Sequence, residues 1–215
     1  MKPSALLLDL DGTLVDSEPL QQEGYRRFFA ARGWDEPDLT LFTGRRAEDV
    51  LPTVDGPWRD HDHAAIGREV TALVPTDVAP AAIPGAAELI RAAAAAGVRI
   101  AVVTSAGPAW VQQALGDGLG ILDLVDLVVT AEDVVDGKPY PACYLLACER
   151  LGLEPATTLA AEDSTAGVQA AVAAGVGHVV GVTTSRPASE LREAGAHAAY
   201  PDLVEVAEDV RRLAD

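Results

Sequence analysis

Residues 5–16 of the chain, ALLLDLDGTLVD, combine a strand signal with a pair of carboxylates. The apolar run from Ala5 to Leu8 is typical of a strand buried on both faces of a sheet. Side chains alternate along a strand, so Asp9 and Asp11 are expected to point to the same side. Two carboxylates about 5 Å apart repel each other by roughly 3 kcal/mol at an effective dielectric of 20. The pair therefore predicts a site that supplies positive charge.

A simple hairpin is the alternative for the same stretch. Asp11-Gly12 between apolar residues is a strong signal for a two-residue turn followed by a returning strand. The hairpin accounts for Gly12. It gives no reason for an aspartate at position 9, where an ordinary strand more readily carries Val or Thr. Both interpretations stay open on this stretch alone.

The composition restricts the partners of the chain. It has 215 residues, 49% of them hydrophobic, which is enough for a substantial core. Acidic residues number 33 against 16 basic ones, a net charge of −17 without a basic stripe, which argues against nucleic acid and anionic membranes. The two cysteines suggest neither a disulfide framework nor a metal site, and no signal peptide or membrane span is apparent. We expect a cytoplasmic protein, either a monomer or a weak homodimer.

From about residue 84 onward, β-rich runs alternate with Ala-rich helical stretches. The helical stretches mostly begin at Gly, Pro, Ser or Thr and end at Gly, as capped helices do. The runs are VRIAVVTS (98–105), LVDLVVTAED (124–133), TTLAAEDS (157–164) and GHVVGVTTS (177–185). This alternation predicts an α/β fold with a Rossmann-like parallel sheet, whose strands all end at one edge.

Residues 17–80 break that rhythm. Three stretches, 19–33, 47–54 and 63–74, look helical without a buried strand between them. We therefore expect an α-helical cap domain at 17–80, inserted into a core formed by 1–16 and 81–215. Residues 77–85 are interpreted as the linker that returns to the core.

Polar residues follow the predicted strands and should meet at the common edge. They are Asp9 and Asp11 after the first strand, Thr104 and Ser105 after the second, and Glu162, Asp163 and Ser164 after the fourth. Lys138 precedes Pro139, which suits the first turn of a helix, and apart from Lys2 it is the only lysine. Each residue has a plainer explanation, for example Asp163 or Ser164 as a helix N-cap. Together they favour Mg²⁺ and a phosphate.

Four stretches in this order resemble the motifs of the haloacid dehalogenase superfamily of phosphotransferases. They are DLDGT (9–13), VVTS (102–105), GKPYP (137–141) and AEDSTAG (161–167). The resemblance covers nearly the whole chain and is closest to bacterial sugar and polyol phosphate phosphatases. It implies a Mg²⁺-dependent phosphatase that acts on a small phosphorylated metabolite through an aspartyl phosphate.

The same resemblance implies a role for each matching residue. Asp9 is the expected nucleophile, Asp11 the acid and base, and Thr104 and Lys138 the groups that hold the phosphoryl oxygens. The Asp9 carboxylate, the Asp11 carbonyl and Asp163 are the expected metal ligands. Two further residues are expected to act through these groups: Glu162 next to the metal ligands, and Thr13 by helping to orient Asp9. Residues predicted to contact phosphate or substrate, mostly from the cap, are Ser105, Gly44, Arg45, Arg46 and Gln21.

Related activities share parts of this pattern. Mutases of the β-phosphoglucomutase type resemble the chain but carry a histidine ten residues after the second aspartate, where this chain has Gln21. Dehalogenases lack the second aspartate, which is present here as Asp11, and phosphonatases need a cap lysine, which residues 17–83 do not contain. A non-catalytic phosphate-binding module is the remaining alternative. We therefore expect a phosphatase.

Overall fold

The computed structural model describes residues 2–76 and 78–212; Met1, Asp77 and residues 213–215 lie outside the described part. The strands are β1 (Ala5–Leu8), β2 (Val15–Asp16), β3 (Ala81–Ala82), β4 (Arg99–Val103), β5 (Leu127–Val129), β6 (Leu159–Glu162), β7 (His178–Val182) and β8 (Ala198–Tyr200). The α-helices are α1 (Glu18–Arg32), α2 (Ala47–Val50), α3 (His63–Leu73), α4 (Ala86–Ala95), α5 (Pro108–Val111), α6 (Ala142–Leu151), α7 (Thr165–Ala173), α8 (Ala188–Glu193) and α9 (Val204–Arg212). None of the described helices is long and apolar enough to cross a membrane.

Six strands form one parallel sheet in the order β5-β4-β1-β6-β7-β8. The α/β fold predicted from the sequence is confirmed. β1 lies inside the sheet because each of its faces is apolar: Leu6 and Leu8 pack into one hydrophobic cluster, and Ala5 and Leu7 into the other. The alternation of side chains along the strand thus places one helical layer on each side of the sheet.

The hairpin interpretation of residues 5–16 is wrong. β2 does not pair with β1, but with β3 in a separate two-stranded antiparallel sheet. Between β1 and β2 the chain turns sharply, because the amides of Leu14 and Val15 both donate to the carbonyl of Leu10. β2 and β3 are the two segments through which the chain leaves the parallel-sheet core and returns to it.

Helices α1 to α3 form the inserted cap and have a hydrophobic cluster of their own. It is rich in aromatic side chains, and its buried aromatic members are Tyr25, Phe28, Phe29, Phe42 and Trp58. Hydrogen bonds join this cap to the core at several places. Ser105 Oγ donates to the Gly44 carbonyl at 3.1 Å, and Arg186 Nη2 donates to the Thr40 carbonyl at 2.6 Å. Arg46 donates to three carbonyls of the core and is described below.

The helix after Lys138 begins later than the sequence predicted. Pro139 does not lie in its first turn, since α6 starts at Ala142 with Pro141 as its N-cap. A turn occupies the intervening residues, in which the Tyr140 amide donates to the Gly137 carbonyl at 3.0 Å. The two prolines at 139 and 141 provide no amide hydrogen, which favours a turn over a continuous helix.

Candidate active site

The candidate site lies at the carboxyl ends of three adjacent strands, β4, β1 and β6. In chain order the strands after β1 are first added on one side of it, as β4 and β5, and then on the other side, as β6, β7 and β8. In parallel sheets, ligands bind in the crevice that forms where the strand order reverses in this way. Asp9 follows β1 directly, Thr104 follows β4, and Glu162 ends β6. The sheet order therefore brings these three residues together although they are far apart in the sequence.

Lys138 supplies the positive charge that the acidic pair requires. Its ammonium donates to Asp9 Oδ1 at 2.6 Å, to Glu162 Oε1 at 2.5 Å and to the Val103 carbonyl at 3.1 Å. Only 1% of its side chain is exposed. An ammonium has three protons, and each of them has an acceptor here. A buried cation is thus fully paired, as the cost of burying an isolated charge requires.

Glu162 is the second carboxylate that accepts a hydrogen bond from Lys138. Its Oε1 also accepts a hydrogen bond from the Tyr144 hydroxyl at 2.9 Å, and its Oε2 accepts one from Ser164 Oγ at 3.0 Å. Both oxygens therefore have donors from the protein. The predicted role beside the metal stays a prediction.

Electrostatic interactions shift the pKa values of these groups. Burial raises the pKa of Asp9 to about 8, and Glu162 and Asp11 add to the shift while Lys138 opposes it. Burial acts to lower the pKa of Lys138, but the charges of Asp9 and Glu162 outweigh it and hold that pKa well above its usual value. Burial also raises the pKa of Asp163, with Asp9 and Glu162 contributing. The three buried acids thus outnumber one cation, which favours further positive charge.

Two buried carboxylate oxygens in this cluster have no partner within residues 2–76 and 78–212. They are Asp9 Oδ2 and Asp163 Oδ1, whereas the other oxygen of Asp163 accepts a hydrogen bond from Ser185. Oxygens of Asp9, Glu162 and Asp163 all lie within 4.8 Å of one another. Orphaned, closely spaced carboxylate oxygens fit a hard divalent cation such as Mg²⁺. Asp9 and Asp163 are the side chains that can hold it.

Gly12 allows the loop after β1 to approach Asp163. Its φ is +81°, which favours glycine, and a Cβ at this position would overlap the Asp163 carboxylate. The Gly12 carbonyl also accepts a hydrogen bond from Thr184 Oγ1 at 2.5 Å. Ser164, rather than Asp163, is the N-cap of α7, since its Oγ accepts from the Gly167 amide at 3.0 Å. Asp163 is therefore not needed as a cap.

Asp11 occupies a different environment from Asp9. Its Oδ1 accepts hydrogen bonds from Ser17 Oγ at 2.5 Å and from the Trp110 indole at 2.8 Å. Burial raises the pKa of Asp11, and these two hydrogen bonds oppose the shift. Asp9 is fully buried, whereas Asp11 is partly exposed. Two carboxylates in different environments are suited to different chemical roles.

The hydroxyl groups near the strand ends differ in what they contact. Thr104 Oγ1 accepts a hydrogen bond from the Ala106 amide at 2.9 Å, which leaves its own proton available to a ligand. Thr13 Oγ1 is buried and has no partner in the described part of the chain. Its hydroxyl therefore makes no hydrogen bond to Asp9 here, and the role of Thr13 in orienting Asp9 stays a prediction. Thr13 lies in the turn after Gly12, where its amide donates to the Leu10 carbonyl.

Arg46 joins the cap to the loop that precedes Lys138. Its Nη2 donates to the Val135 carbonyl at 2.6 Å, its Nη1 to the Val134 carbonyl at 3.2 Å, and its Nε to Asp49 Oδ2 at 2.8 Å. Gly137 lies against the same pair, since a Cβ there would be 2.6 Å from Arg46 Nε. These contacts occupy the guanidinium. Its predicted contact with substrate stays a prediction.

The other cap residues predicted to contact substrate lie in two places. Gly44 has a φ of +70°, and a Cβ there would overlap Ser164 of the core. Arg45 donates from Nη2 to the Asp49 carbonyl at 3.0 Å, while its buried Nε has no partner among the described residues. Gln21 lies on α1, and its side chain makes no described hydrogen bond to Asp11.

Four residues of the site were not predicted as site residues. Ser17, Trp110, Tyr144 and Ser185 each donate a hydrogen bond to one of its acids. Ser17 alone had a local signal, because it follows Asp11 by only six positions in the sequence. The others are distant in sequence from the acids they contact, and Trp110 and Tyr144 look like ordinary core residues of a helix.

Comparisons with known proteins agree with this architecture. The family model for haloacid dehalogenase-like hydrolases matches residues 3–175. Validoxylamine A 7'-phosphate phosphatase of Streptomyces hygroscopicus subsp. limoneus is 38% identical, with 93% of this chain and 94% of that protein covered. Hexitol phosphatase A of Escherichia coli K12 is 34% identical, covering 90% of this chain and 89% of its own length.

Solved structures of similar proteins have the same fold. CbbY from Rhodobacter sphaeroides in complex with phosphate has a TM-score of 0.81 at 28% identity, with 95% of this chain and 96% of that chain covered. A putative β-phosphoglucomutase from Bacteroides vulgatus has a TM-score of 0.84 at 26% identity, over 99% and 90% of the two chains. With the family model and the relatives, which include the two phosphatases named above, these matches show that the chain belongs to the haloacid dehalogenase-like hydrolases.

Proposed function

We propose that the protein is a Mg²⁺-dependent phosphatase that hydrolyses a small sugar or polyol phosphate monoester. The observation that carries this proposal is the environment of Asp9. One of its oxygens is held by Lys138, the other is buried without a partner among the described residues, and the carboxylate lies close to Asp163. Lys138 fixes this carboxylate in place, and its two oxygens can take the two proposed roles, one attacking phosphorus and the other contacting the metal.

In the proposed reaction Asp9 attacks the phosphorus atom, and the bond from phosphorus to the leaving oxygen breaks. Asp11 donates a proton to that oxygen, which releases the alcohol and leaves an aspartyl phosphate on Asp9. Asp11 then takes a proton from water, which attacks the phosphorus and releases inorganic phosphate and Asp9. Asp11 suits both proton transfers because it is partly exposed and is not held by Lys138.

Lys138 and Thr104 are the proposed donors to the phosphoryl oxygens. Lys138 places a positive charge beside Asp9, and one of its three protons would move from a protein acceptor to the bound phosphate. Thr104 has a free hydroxyl proton. Bound Mg²⁺ would be held by Asp9, Asp163 and the Asp11 carbonyl, and it would neutralise the negative charge of the phosphate and the acids. The Gly44 segment and Arg45 are the proposed contacts with the rest of the substrate.

The substrate class comes from the named relatives. One relative is a phosphatase of validoxylamine A 7'-phosphate and another is a hexitol phosphatase, so polyhydroxylated phosphate esters are the compounds to assay first. We also propose that residues 17–80 act as a cap that closes over the site, with residues 1–16 and 81–215 as the catalytic core. Such a cap excludes water and contributes to substrate choice.

A panel of sugar and polyol phosphates tests this proposal. Release of inorganic phosphate is measured with Mg²⁺, with chelator, and with the Asp9→Asn variant. Asp123→Asn is the matched control, because Asp123 is an exposed aspartate. We expect metal-dependent release that is lost in Asp9→Asn and retained in Asp123→Asn. No hydrolysis of any ester in the panel, or equal hydrolysis by both variants, contradicts the proposal.

A further inference from the structure

Trp110 makes a hydrogen bond to Asp11 across 99 positions of sequence. Its indole Nε1 lies 2.8 Å from Asp11 Oδ1, and Ser17 Oγ donates to the same oxygen at 2.5 Å. Trp110 belongs to the loop and helix that follow β4, while Asp11 follows the neighbouring strand β1. The bond therefore connects two adjacent strand ends directly beside the site.

The Trp110 ring is held rigidly by the core. It is 8% exposed and packs in the same hydrophobic cluster as Leu10, Leu14 and Leu115. A tryptophan side chain has only two rotatable angles, so this packing also determines where its N–H group points. A π-helix, Gln112–Gly118, follows immediately after α5. Such widened turns are rare and occur frequently at functional sites.

The chemistry of the two donors is not the same. A serine hydroxyl rotates and both donates and accepts, whereas an indole N–H only donates and has one fixed direction. Within the described residues, Asp11 Oδ2 has no protein donor, so the two oxygens of this carboxylate are not equivalent. Oδ1 is anchored, and Oδ2 is left for a partner outside the protein.

We infer that Trp110 is a positioning residue for Asp11. It anchors Oδ1, so that Oδ2 is the oxygen that gives the proton to the leaving group and later takes one from water. This inference rests on the proposed function, in which Asp11 is the acid and base. Trp110 does not contact the reacting atoms itself and acts through the orientation of the carboxylate.

The test compares Trp110→Phe with the wild type on two esters. Phenylalanine keeps an aromatic ring in the core but has no N–H group. For an alkyl phosphate, whose leaving oxygen needs a proton, we expect kcat/KM to fall about tenfold, in line with a lost hydrogen bond to a charged group. For 4-nitrophenyl phosphate, whose leaving group needs no proton, we expect a loss below about threefold. Equal losses on the two esters contradict the inference.

The same substitution in an Asp11→Asn background separates positioning from packing. If Trp110 acts through the carboxylate, Trp110→Phe should change the residual activity of Asp11→Asn by less than about twofold. A tenfold loss in both backgrounds, with Asp11→Asn itself impaired, overturns the role of Trp110 and leaves the proposed function intact. A fully active Asp11→Asn overturns the role of Asp11 and therefore both proposals.

Two controls keep the result interpretable. Trp58→Phe removes another buried indole, whose N–H donates to the Leu51 and Val54 carbonyls in the cap, and it should leave the ratio of the two esters unchanged. If Trp110→Phe does not fold, as judged by circular dichroism, Trp110→Leu removes the donor with a smaller apolar side chain. If Trp58→Phe changes the ratio of kcat/KM for the two esters as much as Trp110→Phe does, a specific effect of Trp110 on Asp11 is contradicted.

Discussion

Lys138 and Glu162 form an ion pair with 2.5 Å between Nζ and Oε1, and neither side chain exposes more than 1% of its surface. The pair connects the loop before α6 to the end of β6. Because Asp9 shares the same ammonium, the only buried cation among the described residues stabilises two acids at once. Its removal therefore affects both folding and chemistry.

We expect Lys138→Met to abolish phosphatase activity and to lower the free energy of unfolding by roughly 3–5 kcal/mol. The loss follows because Glu162 and Asp9 stay buried without their partner. Urea unfolding and phosphate release measure the two effects. Arg150→Met is the matched control: its ion pair with Asp133 is partly exposed to solvent, so the expected loss of stability is below about 1 kcal/mol.

A second substitution at Glu162 separates the two effects of Lys138. In Lys138→Met/Glu162→Gln the uncompensated buried charge is removed, and the amide can still accept from Tyr144. We expect this double variant to recover part of the stability lost in Lys138→Met while staying inactive. Full activity in either variant would remove Lys138 from the site, and an unchanged stability of Lys138→Met would contradict its structural role.

Asp9→Asn should fold and lose at least about 10³-fold of activity, since an amide is a poor nucleophile. Folding is retained because asparagine has nearly the same size as aspartate and keeps an oxygen that can accept the hydrogen bond from Lys138. Thermal unfolding and single-turnover phosphate release give the two readouts. Normal turnover by this variant is incompatible with Asp9 as the nucleophile.

Mg²⁺ should raise the unfolding temperature of the protein, because the proposed site at Asp9 and Asp163 exists only in the folded chain. The expected stabilisation is about 2.7 kcal/mol when the ion is present at about 100 times its Kd. Ca²⁺ should also stabilise without supporting turnover, since its looser coordination does not position Asp9 for attack. Asp163→Asn should abolish both stabilisations and Asp123→Asn neither. An unchanged Mg²⁺ effect in Asp163→Asn excludes that residue as a ligand.

Asp133 should make a pH-dependent contribution to stability near the loop that leads to Lys138. A hydrogen bond from the Thr130 amide, at 2.8 Å, lowers the pKa of Asp133 below its usual value of 3.8, and Arg150 adds to the shift. A lowered carboxylate pKa stabilises the fold above that usual value, and the contribution is lost as the pH falls from that value through the lowered pKa of the folded state. Asp133→Asn should therefore cost about 1 kcal/mol at pH near 7 and less at pH near 4.

Urea unfolding of the wild type and Asp133→Asn at the two pH values checks this sign. Asp123→Asn is the matched control, since Asp123 is exposed and makes no described hydrogen bond. It should change stability little at either pH. A difference between wild type and Asp133→Asn that grows toward low pH has the wrong sign for a lowered pKa and contradicts the interpretation.

Hydrolysis should prevail over intramolecular phosphoryl transfer, and Gln21 is the reason. A mutase must keep its phosphoenzyme intact while the intermediate reorients. A cap histidine, which titrates near neutral pH, can couple closure of the cap over the substrate to proton transfer by the second aspartate. Glutamine cannot change its charge. With β-glucose 1-phosphate and a catalytic amount of the 1,6-bisphosphate, we expect inorganic phosphate without accumulation of glucose 6-phosphate. Faster formation of glucose 6-phosphate than of phosphate would establish a mutase instead.

The fold could be predicted largely from local patterns. The continuous apolar run at Ala5–Leu8 and the later alternation of short strands with Ala-rich helices require a parallel sheet covered on both faces. β8 and α9 were not predicted, since Ala198–Tyr200 is short and only half-buried and therefore has little hydrophobic signal. The hairpin alternative failed because pairing of β2 with β3 depends on a segment 65 residues later.

What the sequence alone determined was the set of acids, the lysine and the strand ends on which they lie. The period of apolar residues and the spacing of the polar motifs are properties of the sequence itself, so they can be determined without the structure. Only the tertiary structure decided which groups meet: Lys138 with both Asp9 and Glu162, Tyr144 with Glu162, and Trp110 with Asp11. The physical reason is that each of these hydrogen bonds joins segments that follow different strands. Such segments meet only through the order of the strands in the sheet and the close packing of side chains around the site.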